Sequence, residues 1–187
     1  MKNIAVFASG NGTNFEALAD DKEIRKLAEI KILICDNPKA KVIERAKKRN
    51  INVFTLNPKD YASKEDYEKE FLDHLVDVDY IFLAGYMRIL SPYFLENFSG
   101  KVINIHPSLL PLYKGKDSIK RAYEAGEEYI GVSIHFVNEE VDGGKIIIQD
   151  KLRVDYDKSL DEVTEEIHKL EHKLYTKTAA KILREEL

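Results

Sequence analysis

Ile4-Ala5-Val6-Phe7-Ala8-Ser9-Gly10-Asn11-Gly12-Thr13-Asn14-Phe15 is the stretch whose reading decides the fold. The short apolar run Ile4 to Ala8 reads as a buried strand. Glycines and asparagines break the run, and the pattern from about Phe15 to Leu27 reads as a helix. A strand that passes through a Gly/Asn turn into a helix opens a βαβ unit.

The same alternation continues through the first half. Ile30 to Cys35 reads as a second strand, closed by Asp36-Asn37-Pro38, and a basic helix follows over about Ala40 to Lys48. Val53 to Leu56 is a short strand. Ser63 is an N-cap candidate for a helix to about Val76, with Glu65 and Asp66 suited to its dipole. Tyr80 to Ala84 is another buried strand. Strands separated by helices imply a parallel sheet. In the second half, Val102 to His106 reads as a strand and Ser118 to Ala125 as a helix. Gly131 to Val137 and Lys145 to Leu152 flank an Asn138–Gly144 turn, a connection short enough for an antiparallel pair. From Ser159 onward the chain is a charged amphipathic helix. In open sheets of this kind ligands sit beyond the strands' carboxyl ends, where the motifs below are expected to gather.

Composition narrows the class. The 187 residues are 44% hydrophobic with a formal net charge of −4, enough apolar content for a substantial core and the wrong sign for broad nucleic-acid or membrane-surface binding. The single cysteine, Cys35, lies in an apolar run and reads as a buried strand residue; no intrachain disulfide is possible. No CxxC or HExxH zinc pattern occurs, so no metal is expected. No signal-peptide pattern and no apolar stretch of about 20 residues is present. A soluble cytoplasmic protein is the expectation.

Three motifs carry chemistry. In Ser9-Gly10-Asn11-Gly12-Thr13-Asn14, glycines permit a tight or left-handed backbone, and the free N–H groups of a helix start favour an anion, most naturally a phosphate. The alternative is a plain capped strand-to-helix turn. Phe15 stands where a dinucleotide fingerprint needs its third glycine, and no Gly-Lys-Ser/Thr follows. Asp36, at the end of the second strand, is where a nicotinamide enzyme holds its ribose, so that reading stays open. In Asn104-Ile105-His106-Pro107, the period of two puts Asn104 and His106 on one side and Ile105 on the other, and Pro107 ends the strand. An amide can donate to a developing oxyanion, and an imidazole can move protons near neutral pH. The alternative is a hydrogen-bonded strand-end histidine. In Val141-Asp142-Gly143-Gly144, Asp142 either shapes the turn or lies near His106 and favours its imidazolium. His74, His135 and His172 read as structural or surface residues.

Together these residues resemble the folate-dependent formyltransferase family over nearly the whole chain. The resemblance rests on the first motif, on Ala84-Gly85-Tyr86-Met87-Arg88-Ile89-Leu90-Ser91, on Asn104 to Pro111, and on Ser133-Ile134-His135-Phe136-Val137 leading to Asp142. It implies a Rossmann-like α/β fold: a mostly parallel central sheet, helices on both faces and an antiparallel C-terminal strand pair. It implies one formyltransferase domain over 1–187, with a phosphate-binding half (1–100) and a catalytic, folate-binding half (101–187). The implied reaction moves a formyl group from 10-formyltetrahydrofolate to the amine of phosphoribosylglycinamide in purine synthesis, without a metal. Asn104, His106 and Asp142 become the catalytic group. Gly12, Thr13 and Asn14 hold the phosphate, and His168, Lys169, Leu170 and Glu171 surround the glycinamide substrate. Lys64, Met87, Arg88, Ile89, Leu90, Asn104, Asn138, Glu139, Glu140, Val141 and Asp142 form the folate site. A monomer or weak homodimer acting on small molecules is implied.

The chain departs from many relatives at Lys114-Gly115, where Pro-Gly is usual, at Lys116-Asp117-Ser118-Ile119, which lacks a common His or Asn, and at His168, where glutamine is common. Within the family, methionyl-tRNA formyltransferases and formyltetrahydrofolate hydrolases carry added domains and are the alternatives; a tRNA enzyme also tends to need a basic surface. A folate- or nucleotide-binding module without catalysis is the alternative of a different class.

Overall fold

The computed structural model describes residues 1–187. Its strands are β1 (Lys2–Ala8), β2 (Ala28–Cys35), β3 (Asn52–Thr55), β4 (Tyr80–Leu83), β5 (Lys101–His106), β6 (Tyr129–Phe136) and β7 (Ile146–Arg153). They form one sheet in the order β3-β2-β1-β4-β5-β6-β7. The first five strands are parallel. β6 runs against both β5 and β7. The mostly parallel sheet and the antiparallel C-terminal pair match the sequence reading.

The helices are α1 (Thr13–Asp20), α2 (Ile24–Leu27), α3 (Lys41–Lys47), α4 (Lys64–Asp73), α5 (Pro92–Asn97), α6 (Ser118–Glu124) and α7 (Leu160–Leu183). The period of two divides β1 between two cores. Ile4, Val6 and Ala8 pack in the core that takes in residues of α1, α2, α3, α6 and α7. Ala5 and Phe7 pack in the opposite core, built with α4 and α5. A strand buried on both faces has no polar side, which is why Ile4–Ala8 reads as a continuous apolar run.

Several boundaries differ from the sequence reading. The helix expected from Phe15 to Leu27 is two helices. Asp21 takes extended backbone angles, and its carboxylate accepts from the Glu23 and Ile24 amides at 2.9 and 3.0 Å, so a local cap outcompetes helix continuation. Helix α5 was not anticipated from periodicity; it starts on Ser91 as a cap with Pro92 in the first turn. Ser63 caps α4 as expected, accepting from the Asp66 amide at 3.2 Å, but α4 stops at Asp73. A reciprocal Ser159–Glu162 capping box starts α7. Cys35 is fully buried, and burial pushes its thiol up to about 11.

After β1 the chain builds β2 and β3 to one side, then returns to place β4 on the other. The gap between β1 and β4 is therefore the topological switch point, and the turns leaving both strands open into it. The buried Tyr175 of α7 donates its hydroxyl to the Leu83 carbonyl at 2.8 Å, with the Ile103 carbonyl 3.3 Å away, which fixes α7 across β4 and β5.

Candidate active site

The first wall is the turn after β1. Gly12 sits at φ +80°, and a Cβ there would lie 2.4 Å from Cγ2 of Val42, so the left-handed angle and the packing both demand glycine. Helix α3 grips the turn from outside. The Val42 amide donates to the Gly10 carbonyl at 3.1 Å, and Arg45 Nε to the Asn11 carbonyl at 2.7 Å. Arg45 also pairs with Glu16 of α1. The start of α1 thus faces the cavity with Gly12, Thr13 and Asn14 in its lining.

The second wall is the segment after β4. Met87, Arg88, Ile89 and Leu90 all line the cavity. Met87 and Ile89 are 64% and 53% exposed, an unpartnered apolar surface, whereas Leu90 is buried. Arg88 reaches back to Asp36 at 2.6 Å. Asp36 is buried and committed to that pair, outside the cavity lining, so the ribose-holding role left open for it is removed.

The third wall is the end of β5. Ile103 and Ile105 enter the core beneath α7. Asn104 and His106, on the other face, line the cavity. His106 Nδ1 lies 3.4 Å from Oδ2 of Asp142, and its Nε2 lies 2.9 Å from the Tyr113 carbonyl. Both ring nitrogens thus face oxygen atoms that can accept a hydrogen bond.

His135 belongs to the same group, although its sequence context reads as structural. It is the register partner of Asn104 across the β5–β6 ladder and is 2% exposed. Its Nδ1 faces the Phe136 carbonyl at 2.8 Å and so carries the proton; in the neutral ring Nε2 is left to accept from the Asn104 amide, 3.2 Å away. The same amide nitrogen is 3.5 Å from Asp142 Oδ1. Strand register is the signal that finds His135, and that register is not written in a single sequence.

Asp142 arrives by an unexpected route. Because β6 opposes β5, Phe136 lies beside Ile103, away from the end of β5. The carboxylate does not leave a strand end at the switch point; the segment after Phe136 folds back along the β5 face to carry it to His106. Gly144 makes the reversal possible, since a Cβ there would lie 1.7 Å from the Phe136 carbonyl oxygen. Asp142 adopts φ +49°, and its Oδ2 accepts from the Gly115 amide at 2.8 Å. Burial opposes its charge. The His135 ring 3.7 Å away, the Gly115 amide and His106 outweigh burial and hold the carboxyl below its ordinary range.

These walls enclose about 540 Å³. Asn138, Glu140, Val141, His168 and Glu171 also line the space; Lys64, Glu139, Lys169 and Leu170 do not. Leu170 instead packs against the core and Glu139 is exposed. Residues given no site role from the sequence contribute as well, among them Gly115, Lys116, Asp117, Ser118 and His135. Lys114 pairs with Glu140 at 2.6 Å, joining the loops on either side of Asp142. On α7, His168 Nδ1 is 2.8 Å from Oε2 of the buried Glu171. That hydrogen bond raises the pKa of His168 against the effect of burial.

A glycine-turned helix start, an apolar wall and an amide–imidazole–carboxylate group share one cavity at the switch point, the arrangement of a group-transfer enzyme acting on small molecules. Comparison with known proteins narrows the class. A family model described as Formyl transferase matches residues 2–179. Phosphoribosylglycinamide formyltransferase of Bacillus subtilis is 44% identical over 186 residues, covering 98% of this chain and 95% of the relative. The Escherichia coli protein of that name is 39% identical, covering 92% and 83%. The crystal structure of glycinamide ribonucleotide transformylase 1 from Geobacillus kaustophilus superposes with a TM-score of 0.93 at 45% identity, covering 98% of this chain and 99% of that one. The chain belongs to the formyl transferase family.

Proposed function

We propose that this protein transfers the formyl group of 10-formyltetrahydrofolate to the primary amine of phosphoribosylglycinamide; its relatives carry the name phosphoribosylglycinamide formyltransferase. The observation that carries the reading is the approach of Asp142 to His106 at 3.4 Å, with Asn104 beside them, in a cavity that also contains the Gly12–Asn14 turn. The cavity suits both reactants. A phosphate is matched by the N-terminal N–H groups of α1, and a flat folate ring by the exposed apolar side chains Met87, Ile89 and Val141.

The chain's residues divide the work as follows. Glu171 and His168 face the acceptor side and orient the substrate so that its amine nitrogen meets the formyl carbon. As the new C–N bond forms, charge collects on the formyl oxygen. Asn104 keeps its amide plane through the 3.2 Å contact with His135 and redirects the N–H now 3.5 Å from Asp142 toward that oxygen. His106 donates a second hydrogen bond there and passes a proton to the departing nitrogen as the old C–N bond breaks, and the proton lost by the attacking nitrogen restores the imidazolium. Asp142 supplies the negative charge that stabilises the imidazolium.

The test is an assay of the purified protein with 10-formyltetrahydrofolate and phosphoribosylglycinamide. The expected products are the formylated amide and tetrahydrofolate in equal amounts. Formate released without an amine present identifies a hydrolase. Binding of both ligands without transfer identifies a binding module.

A further inference from the structure

Ser9 touches neither reactant's space, yet it joins the two walls that hold them. It is 8% exposed and absent from the cavity lining. The β1–β4 ladder pairs Phe7 with Leu83 and continues with the Ala84 amide donating to the Phe7 carbonyl at 2.8 Å. Beyond that point Ser9 takes over. Its amide donates to the Gly85 carbonyl at 3.2 Å, and its Oγ accepts from the Met87 amide at 2.9 Å. The Ser9 carbonyl is in turn held by the Asn37 side chain at 3.3 Å.

The next residue on one side, Gly10, begins the anion turn; Met87 on the other begins the apolar wall. The Met87 side chain is 64% exposed, so packing does little to fix that end of the segment, and its backbone bond to Ser9 matters more. Building on the formyl-transfer reading, we propose that Ser9 is a positioning residue that couples the two subsites. An anion that orders the Gly10–Asn14 turn pre-pays the ordering of the Met87 segment, so the folate binds more tightly, and linkage makes the effect reciprocal. One neutral hydrogen bond limits the coupling to a factor of about two to ten.

Tetrahydrofolate has no formyl group to transfer, so it forms a non-reacting pair with phosphoribosylglycinamide. Calorimetry gives the tetrahydrofolate Kd with and without saturating phosphoribosylglycinamide. The wild type is expected to show a ratio of about two or more. Ser9→Ala, which removes the Oγ acceptor, is expected to bring the ratio to one while each ligand alone still binds, and Ser9→Thr, which keeps an Oγ, to restore it. A ratio of one in the wild type, or an unchanged ratio in Ser9→Ala, overturns the proposal.

Hydrogen exchange on the wild type tests the same coupling without a variant. Inorganic phosphate is expected to slow exchange of the Met87 amide, and unchanged exchange with phosphate bound overturns the coupling. Failure of the wild type to bind either organic ligand refutes the formyl-transfer reading itself. The phosphate experiment then decides on Ser9 alone.

Discussion

Oδ2 of Asp142 lies 3.4 Å from Nδ1 of His106, and the opposite carboxylate oxygen faces Asn104 and His135. A single side chain therefore organises both groups proposed to meet the developing oxyanion. Its own charge is protected by the Gly115 amide and by two imidazoles, which is the environment a permanent counter-charge requires.

If Asn104 and His106 each donate to the transition state, losing either removes about 2.7–4 kcal/mol of stabilisation. Asn104→Ala and His106→Ala are each expected to lower kcat at least about a hundredfold, with near-native circular dichroism. Retention of most of the turnover in either variant removes that residue from the mechanism.

Asp142→Asn preserves shape and removes the charge. A drop in kcat of at least about a hundredfold is expected. Stability gives a second readout. A carboxyl whose pKa is depressed by folding contributes stability that is present above its unfolded value, about 3.9, and lost as pH falls through the lower folded value. Denaturant titrations of wild type and variant are therefore expected to differ most near neutral pH and to draw together as pH falls from about 3.9 through the lower folded value. A gap independent of pH contradicts the ionic role.

The pairing of His168 with Glu171 makes this part of the site pH-dependent. Because its folded pKa is raised, the pairing is complete below about pH 6.5 and is lost as pH climbs through the folded value. The KM for phosphoribosylglycinamide is expected to change across that window in the wild type and to flatten in His168→Gln. Superimposable KM profiles for the two proteins would exclude His168 from substrate binding.

Gly12→Ala sets a methyl group against Val42 at a left-handed backbone position. Overpacking of this kind costs about 1–3 kcal/mol. A lower Tm and a raised KM for the phosphorylated substrate are expected, with the KM for the folate raised less. An unchanged substrate KM would show that the turn does not hold the phosphate.

What could be read in advance followed local rules. The parallel half is legible because stretches such as Ile4–Ala8 and Ile32–Cys35 are uniformly apolar, and Asn104 and His106 can be paired because strand side chains alternate. What was missed depends on pieces of chain meeting in space. His135 enters the site through its register opposite Asn104, and a register cannot be deduced from one strand. The end of α1 was misplaced because Asp21 found its own hydrogen bonds. The resemblance alone points to Lys64, Glu139, Lys169 and Leu170, and none of them lines the cavity; beside Lys169 and Leu170, His168 and Glu171 do.

The return of the 137–144 segment along β5 makes chain length itself a tuned quantity. Asp142 is carried on a span anchored at the far end of β6, with Gly144 closing it against the Phe136 carbonyl. One extra residue adds up to about 3.3 Å of reach, comparable to the whole distance over which Asp142 and His106 interact. Insertions and deletions in this span disconnect the carboxylate from the imidazole without altering any residue of the site.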